Sequence, residues 1–425
     1  MATGRRVAIT GLGFITSIGN DAASVGRSLR ELRTGIARKE FAGPDRPLAV
    51  TVAGTVKEFE VDSPFWSKWK YPPAYRFTPN TLRSLPPHGL YALCAMQQAI
   101  ADARLAAADV SDEGTMLFSS SAGSPMMMRS YLNTMHDAVD MRGSPMGVVT
   151  SISGTLNFNL GTHFRIRGGN CGFVSACASS SHGLGYARDE IALGRADRVF
   201  VVGAEEVNAD SLMPFLSMKA LSACADPEQA SRPFDRRRDG FVGSGGAAVV
   251  VLEAAEVAAA RGVQPYAEFL GWAQTSDGFN LAMPQPEGEG LARAMRRALA
   301  ACGLAPGDIG YVNAHATSTS QGDRAEAIAL RDVFTKNGAR PLVSSTKGLT
   351  GHPLSMAGAM EAAFCALAIR DGFVPGNANL AEPDEACDGL DLPRATLARP
   401  PGIVLSNSSG FGGSNVVLAF APWKS

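Results

Sequence analysis

The chain has 425 residues, 45% of them hydrophobic, enough for one large core or two fused ones, because single cores stop growing at about 250–300 residues. Thirty-nine basic residues against 40 acidic leave a formal net charge of -1, which excludes a global electrostatic case for nucleic acid or an anionic membrane. Seven cysteines, at 94, 171, 177, 224, 302, 365 and 387, are scattered and free of any CxxC pair, so they predict thiols in a reducing compartment, with no zinc site and no disulfide framework.

Along the chain, Met1 to Gly19 places Arg5 and Arg6 before an apolar stretch, but Gly11, Gly13, Thr16 and Ser17 interrupt it. It reads as a buried strand and loop, not as a signal peptide. Gly11-Leu12-Gly13 begins like a dinucleotide loop and lacks the third glycine. No apolar run reaches the roughly 18 residues of a membrane span, and a soluble, cytoplasmic protein is expected. Glycine-bounded β-branched runs predict strands at 6–10, 115–119, 198–202 and 247–252, then at 266–272, 309–314, 342–345, 402–406 and 415–419. Apolar residues at three and four spacing predict helices at 90–104, 179–193, 290–302, 323–334 and 357–370.

This alternation implies an α/β protein with buried sheets. Two closing, hairpin-like strands each follow a glycine-rich loop, Gly243-Ser244-Gly245-Gly246 and Gly410-Phe411-Gly412-Gly413. The parallel predicts an internal duplication, with halves at 1–258 and 259–425. Between Asp62 and Pro87 the chain carries Trp66, Trp69, Tyr71, Tyr75 and six prolines, and is expected to be a surface loop packing its aromatics locally. Arg236-Arg237-Arg238, flanked by Asp235 and Asp239, is expected to be a solvated or salt-bridged turn.

Chemistry points to Cys177, in Val174-Ser175-Ala176-Cys177-Ala178-Ser179-Ser180-Ser181-His182-Gly183, where a strand should hand over to a helix. Small neighbours leave a substrate room, and the unpaired N–H groups of a first helical turn favour a thiolate. A buried structural thiol is the alternative. Three later segments carry reactive groups near a strand end or a helix start: Asn313-Ala314-His315-Ala316-Thr317-Ser318-Thr319, Ser344-Ser345-Thr346-Lys347-Gly348-Leu349-Thr350-Gly351-His352-Pro353, and Asn407-Ser408-Ser409-Gly410-Phe411-Gly412-Gly413-Ser414-Asn415. A single histidine is more often structural than catalytic; two, together with a cysteine in this setting, form a much more specific signature.

With these segments, and with Val7-Ala8-Ile9-Thr10-Gly11-Leu12-Gly13, Ser231-Arg232-Pro233-Phe234-Asp235 and Arg238-Asp239-Gly240-Phe241-Val242, the chain resembles nearly end to end the 3-oxoacyl-[acyl-carrier-protein] synthases, the elongating condensing enzymes of the thiolase-like superfamily. The resemblance implies a thiolase-like fold, two duplicated α/β halves in a layered αβαβα arrangement. It implies a Cys177, His315, His352 triad and a decarboxylative Claisen condensation of an acyl thioester on Cys177 with malonyl-acyl carrier protein, in fatty acid or polyketide and polyene biosynthesis. The backbone N–H groups of Cys177 and Phe411 would hold the oxyanion, and Phe411 would also gate the pocket. His315 and His352 as neutral imidazoles would hold the enolate, with Lys347 disfavouring imidazolium and paired with Glu326 and Glu361 as support.

By the same resemblance Phe241 borders the malonyl site, with core packing an equal alternative, and Thr317, Thr319 and Ser409 belong to substrate binding. Ser121 to Met128 would line the acyl tunnel at a dimer interface, small Ala122 leaving it open; the methionines would be interface packing first and tunnel lining second. Lys219, Arg129 and Lys68 are candidate contacts to an acidic acyl carrier protein. No metal and no cofactor are implied beyond carrier-bound phosphopantetheine, and the implied assembly is a homodimer, or a heterodimer with a thiol-less partner.

Ser409 stands where the family commonly has phenylalanine and is expected to open space beside the nucleophile. The continuation after His352, Pro353 to Gly358, also departs from the usual pattern. Two rivals remain: a non-catalytic chain-length-factor-like partner, against which Cys177 argues, and a thiolase, which would need a cysteine between Gly410 and Asn415, where there is none.

Overall fold

The computed structural model describes residues 4–41, 48–137 and 144–424. The elements that carry the architecture are, in order, β1 (Val7–Ile15), α1 (Pro87–Asp102), β2 (Thr115–Ser120), β3 (Asn170–Gly172), α2 (Ser179–Ala192), β4 (Arg198–Glu205) and β5 (Gly246–Ala254). There follow β6 (Ala267–Ser276), α3 (Glu289–Cys302), β7 (Ile309–Asn313), α4 (Ser320–Val333), β8 (Leu342–Ser344), α5 (Ala357–Asp371), β9 (Ile403–Gly410) and β10 (Ser414–Ala421).

The ten strands form one sheet in the order β8-β7-β9-β10-β6-β1-β5-β4-β2-β3. Outward from its middle, each side repeats the same scheme. β1-β5-β4 are successively antiparallel and β4-β2-β3 parallel; β6-β10-β9 are antiparallel and β9-β7-β8 parallel. The two sides meet through only two residue pairs, Ala8 with Glu268 and Ile9 with Ala267.

Layering follows from which helices have two apolar faces. Residues Ala357–Ile369 of α5 are all buried, as expected for a helix apolar around its whole circumference. It packs on α2 and on strands of both sides of the sheet, and α2 does the same, so the two helices form a central layer. α1 covers β1, β5 and β4 from outside, while α3 covers β6 and β10 with α4 beside it. The result is the αβαβα succession. β5, Gly-Ala-Ala-Val-Val-Val-Leu-Glu-Ala, is buried along its full length, which explains its unbroken apolar run.

Each predicted strand and helix named above is present, with ends shifted by a few residues. Two expectations need correction. β9 and β10 form a hairpin across Phe411–Gly413, but the antiparallel partners of β5 are β4, which ends forty residues earlier, and β1, so β5 closes no hairpin. The 62–87 segment does not pack only on itself: Trp69, Leu82 and Leu85 are buried in a cluster with the residues of α1, Tyr75 meets Phe59 at 6.4 Å, and Gln98 donates to the Tyr75 hydroxyl at 2.7 Å. In the arginine run the salt-bridged alternative holds: Arg238 is buried and bonded to Asp384 at 2.9 Å, and Arg236 is paired with Glu382.

Candidate active site

Cys177 lies between β3 and α2, in a turn whose amide hydrogen bonds, Ala178 N to Ser175 O and Ser179 N to Ala176 O, are both 3.2 Å. Ala176 has a left-handed φ of 50°, which turns the chain sharply and presents the next side chain at the start of α2. The thiol is half-buried. His352 is fixed by its own backbone, its N–H donating to Val242 O at 2.7 Å and its carbonyl accepting from Ser244 N at 3.1 Å. His315 follows β7, where buried Glu326 accepts from His315 N at 3.0 Å, Ala316 N at 2.7 Å and Asn407 Nδ2 at 3.0 Å.

These anchors bring together groups from both halves of the sheet. His352 Nε2 is 3.0 Å from Cys177 Sγ, and the sulfur and one nitrogen of each histidine all lie within 4.8 Å of one another. The two imidazole rings stand 5.4 Å apart and nearly perpendicular, at 88°. The cluster has the spacing of a metal site, but ligation would require the thiolate and would place a second cation near Lys347, so the donor set disfavours a divalent ion.

Burial pushes the Cys177 thiol up to about 12, with the nearby Lys347 cation opposing. Desolvation thus opposes the helix start that favours a thiolate, and Sγ and Nε2 share one hydrogen bond whose donor is set by the imidazole tautomer. Burial first, and the Lys347 cation second, hold both His315 and His352 well below the ordinary histidine value. Nδ1 of each ring is buried and makes no hydrogen bond among the described residues. Neither tautomer is pinned by a protein partner, which suits a ring that must first accept a proton and later offer one.

Lys347 is fully buried and paired with Glu361, whose carboxyl burial raises to about 7 against the pull of the lysine. Glu326 makes no hydrogen bond or ion pair to Lys347 among the described residues; it binds the His315 backbone instead, correcting the expected double pairing. Gly410 ends β9 directly against the nucleophile turn: a methyl group there would stand 2.7 Å from Ser175 O and 3.1 Å from Cys177 N. Phe411, 40% exposed, follows immediately, and Gly412 takes a φ of 79° that lets its N–H reach Leu281 O at 2.8 Å.

Phe241 is buried with its ring 5.4 Å from that of His352, so it belongs to the core and to the site at once. It continues through Phe215, at 5.3 Å, towards Phe411, at 6.2 Å from Phe215. Ser409 is not beside the nucleophile. Ser408 bonds Ser181 of α2 and Gly410 meets the Cys177 turn, so strand alternation turns Ser409 to the opposite face, where it bonds Asn415 at 2.8 Å.

Thr317 and Thr319 share a hydroxyl contact of 3.1 Å, on a turn that Arg238 holds by donating to Thr319 O and Ser320 O. Ala122 is exposed, its N–H donating to buried Glu205 at 2.9 Å, and Glu205 also accepts from Ser355 Oγ in the His352 segment. Met126 is buried and Met127 and Met128 half-buried. Lys219 and Lys68 are exposed, Lys68 over the Phe65 ring, whereas Arg129 is paired with Asp210 at 2.7 Å. Sequence reasoning missed Glu205, Phe215 and Asn407. Only Glu205 left a signal, as the first of two acids closing an apolar strand.

Known proteins place this arrangement. The family profile described as "Beta-ketoacyl synthase, N-terminal domain" matches residues 4–258, and "Beta-ketoacyl synthase, C-terminal domain" matches residues 266–381. The chain is 36% identical to 3-oxoacyl-[acyl-carrier-protein] synthase 1 of Escherichia coli (strain K12), over 99% of this chain and 100% of that protein. It is 36% identical to 3-oxoacyl-[acyl-carrier-protein] synthase 2 of Synechocystis sp., over 99% of each. Among solved structures, a beta-ketoacyl synthase from Burkholderia phymatum superposes with a TM-score of 0.88 at 31% identity, covering 99% of this chain and 100% of that one. The ishigamide ketosynthase/chain length factor superposes with a TM-score of 0.87 at 28% identity and the same coverage.

Two outcomes follow from the geometry. Because the thiol is raised, Cys177 alkylation by iodoacetamide should climb about tenfold per pH unit between about pH 6 and 9; a plateau near neutrality would show a preformed thiolate. Gly410→Ala should slow the same alkylation and any acyl transfer by about a hundredfold, because the new methyl must displace the nucleophile turn; an unchanged rate in folded protein would contradict that close approach.

Proposed function

The chain belongs to the beta-ketoacyl synthase family, and from that premise we propose how its own residues carry out the condensation. It condenses an acyl thioester with malonyl-acyl carrier protein to give 3-oxoacyl-acyl carrier protein, the product for which its relatives are named. The observation that carries the residue assignment is the convergence of Cys177 Sγ with the two histidines inside 4.8 Å.

Cys177 gives its proton to His352 as its sulfur attacks the acyl carbonyl; the carbon–sulfur bond to the carrier breaks, and the carrier thiol leaves with that proton. The tetrahedral oxyanion is held by the Cys177 and Phe411 amides, a role supported by the contact of Gly410 with the nucleophile turn. Malonyl-carrier protein then loses its carboxylate as carbon dioxide. The enolate oxygen accepts N–H bonds from His315 and His352, whose neutrality keeps the carbanion from being quenched. The carbanion attacks the carbonyl carbon of the Cys177 thioester, the carbon–sulfur bond to Cys177 breaks, and the departing thiolate takes one proton from solvent water to restore the thiol.

Lys347 with Glu361, and Glu326 through the backbone, hold the histidines in place. Phe411 gates the entrance, Phe241 borders the malonyl site, Thr317 and Thr319 face the phosphopantetheine arm, and the Ala122 segment lines the acyl tunnel. Lys219 and Lys68 are free to meet an acidic carrier, while Arg129 first has to leave Asp210. Synthases of this family need no cofactor beyond the carrier-bound phosphopantetheine.

The partner is an acyl carrier protein, and a second copy of the chain completes the assembly. That second claim is supported by β3, whose three residues are all exposed at the sheet edge next to Val174, 71% exposed. The halves divide at residues 258 and 259. A cytoplasmic setting fits seven free cysteines; no helix among the described residues is long and apolar enough to cross a membrane.

Incubation with an acyl-acyl carrier protein should acylate Cys177, and Cys177→Ala should abolish it; mass spectrometry finding the acyl group elsewhere, or nowhere, refutes the assignment. His352→Ala should keep measurable acyl transfer and lose decarboxylation of malonyl-carrier protein by about a hundredfold or more. Condensation at the parent rate would refute the role given to that ring.

A further inference from the structure

The condensation uses one face of the Cys177 turn; a second polar chain ends on the other. Ser175 Oγ lies 2.7 Å from His182 Nδ1, and His182 Nε2 lies 2.7 Å from Gln274 Oε1. Gln274 Nε2 donates to the Tyr186 hydroxyl at 3.0 Å, and the amide is placed with its carbonyl towards the histidine. A carbonyl only accepts, so His182 carries its proton on Nε2 and its Nδ1 accepts from the Ser175 hydroxyl. Burial, which lowers the pKa of His182, keeps the ring in the neutral form this arrangement requires.

The turn needs such support. Ala176, between Ser175 and Cys177, has a φ of 50°, a region that residues other than glycine occupy only when their surroundings over-determine it. Two local bonds help, Ser175 N to Ser179 Oγ at 2.8 Å and Ser179 Oγ to Ala176 O at 2.6 Å, but both stay within the turn and its own helix. The Ser175 side chain reaches further, through His182 to Gln274 on β6. Three residues beyond, Asp277 N donates to Gly413 O in the gate loop at 2.8 Å. The nucleophile turn and the gate loop are therefore both referenced to the same strand.

We propose that Ser175, His182 and Gln274 form a positioning relay that holds the Cys177 turn in register with β6, the juxtaposition on which attack by the sulfur depends. The relay rests on the reading of Cys177 as nucleophile. His182 and Gln274 touch no reacting atom; they act through Ser175.

The test compares apolar with polar replacements in the full-length protein, measuring acylation of Cys177 by an acyl-acyl carrier protein at saturating and limiting concentrations, with thermal midpoints alongside. His182→Phe, which keeps ring volume and loses both hydrogen bonds, should slow acylation at saturation about tenfold or more while KM stays within about twofold. Gln274→Leu should slow it by a smaller factor. His182→Asn, which keeps an acceptor near the Nδ1 position, and Gln274→Glu, which keeps one for Nε2–H, should recover to within about threefold of the parent. The relay is overturned if folded His182→Phe or Gln274→Leu acylates at the parent rate, or if the polar replacements are as slow as the apolar ones. Should His182→Phe not fold, the Gln274 pair decides alone. A parent protein not acylated at Cys177 overturns the nucleophile reading and the relay with it, whereas a normal parent with unaffected variants overturns the relay only.

Discussion

The 3.0 Å contact between Cys177 Sγ and His352 Nε2 spans 175 residues of sequence and joins the two sides of the sheet at the point where chemistry happens. The rest of the molecule makes that contact possible. Central helices α2 and α5 are packed between the sheet halves, α2 carrying the sulfur at its start and α5 carrying Glu361, which neutralises Lys347. Apart from those helices and the short β1 to β6 pairing, little ties the halves together along the sheet itself.

Burial is the dominant electrostatic force in this pocket, and it acts in one direction on every group. It raises the thiol and lowers both imidazoles, so these tend towards their neutral forms, and it raises Glu361 against the pull of its ion pair with Lys347. Lys347 works with burial on the histidines and against it on the thiol. A pocket of neutral donors beside one buried ion pair suits a reaction in which negative charge appears on an oxygen, migrates to carbon and must not be captured by a proton.

Much of this was legible in the chain itself. The nine glycine-bounded apolar runs are strands, and the cysteine and histidine motifs converge, because motif spacing at strand ends depends on local sequence. Other features depend on pairing between distant segments. Ser409 was expected beside the sulfur, yet strand alternation puts it on the far face with Asn415. Glu326 was expected on Lys347 and instead holds the His315 backbone. Arg238 sits in a run expected to be a solvated or salt-bridged turn, and its burial, between the carboxylates of Asp323 and Asp384 and the backbone carbonyl of Asp235, comes from segments far along the chain. The two influences on the sulfur divide in the same way: a helix start is visible in a sequence, whereas the depth of desolvation that opposes it is a property of the packed molecule.

The central claim, that Cys177 works beside two uncharged rings, is tested most directly by following the ring nitrogens of His315 and His352 by NMR in protein carrying 15N-labelled histidine, from about pH 8 down to about pH 5. Both rings should keep neutral-imidazole shifts down to about pH 6 and beyond. An imidazolium signal from either one at neutral pH, in the resting protein, would contradict the account.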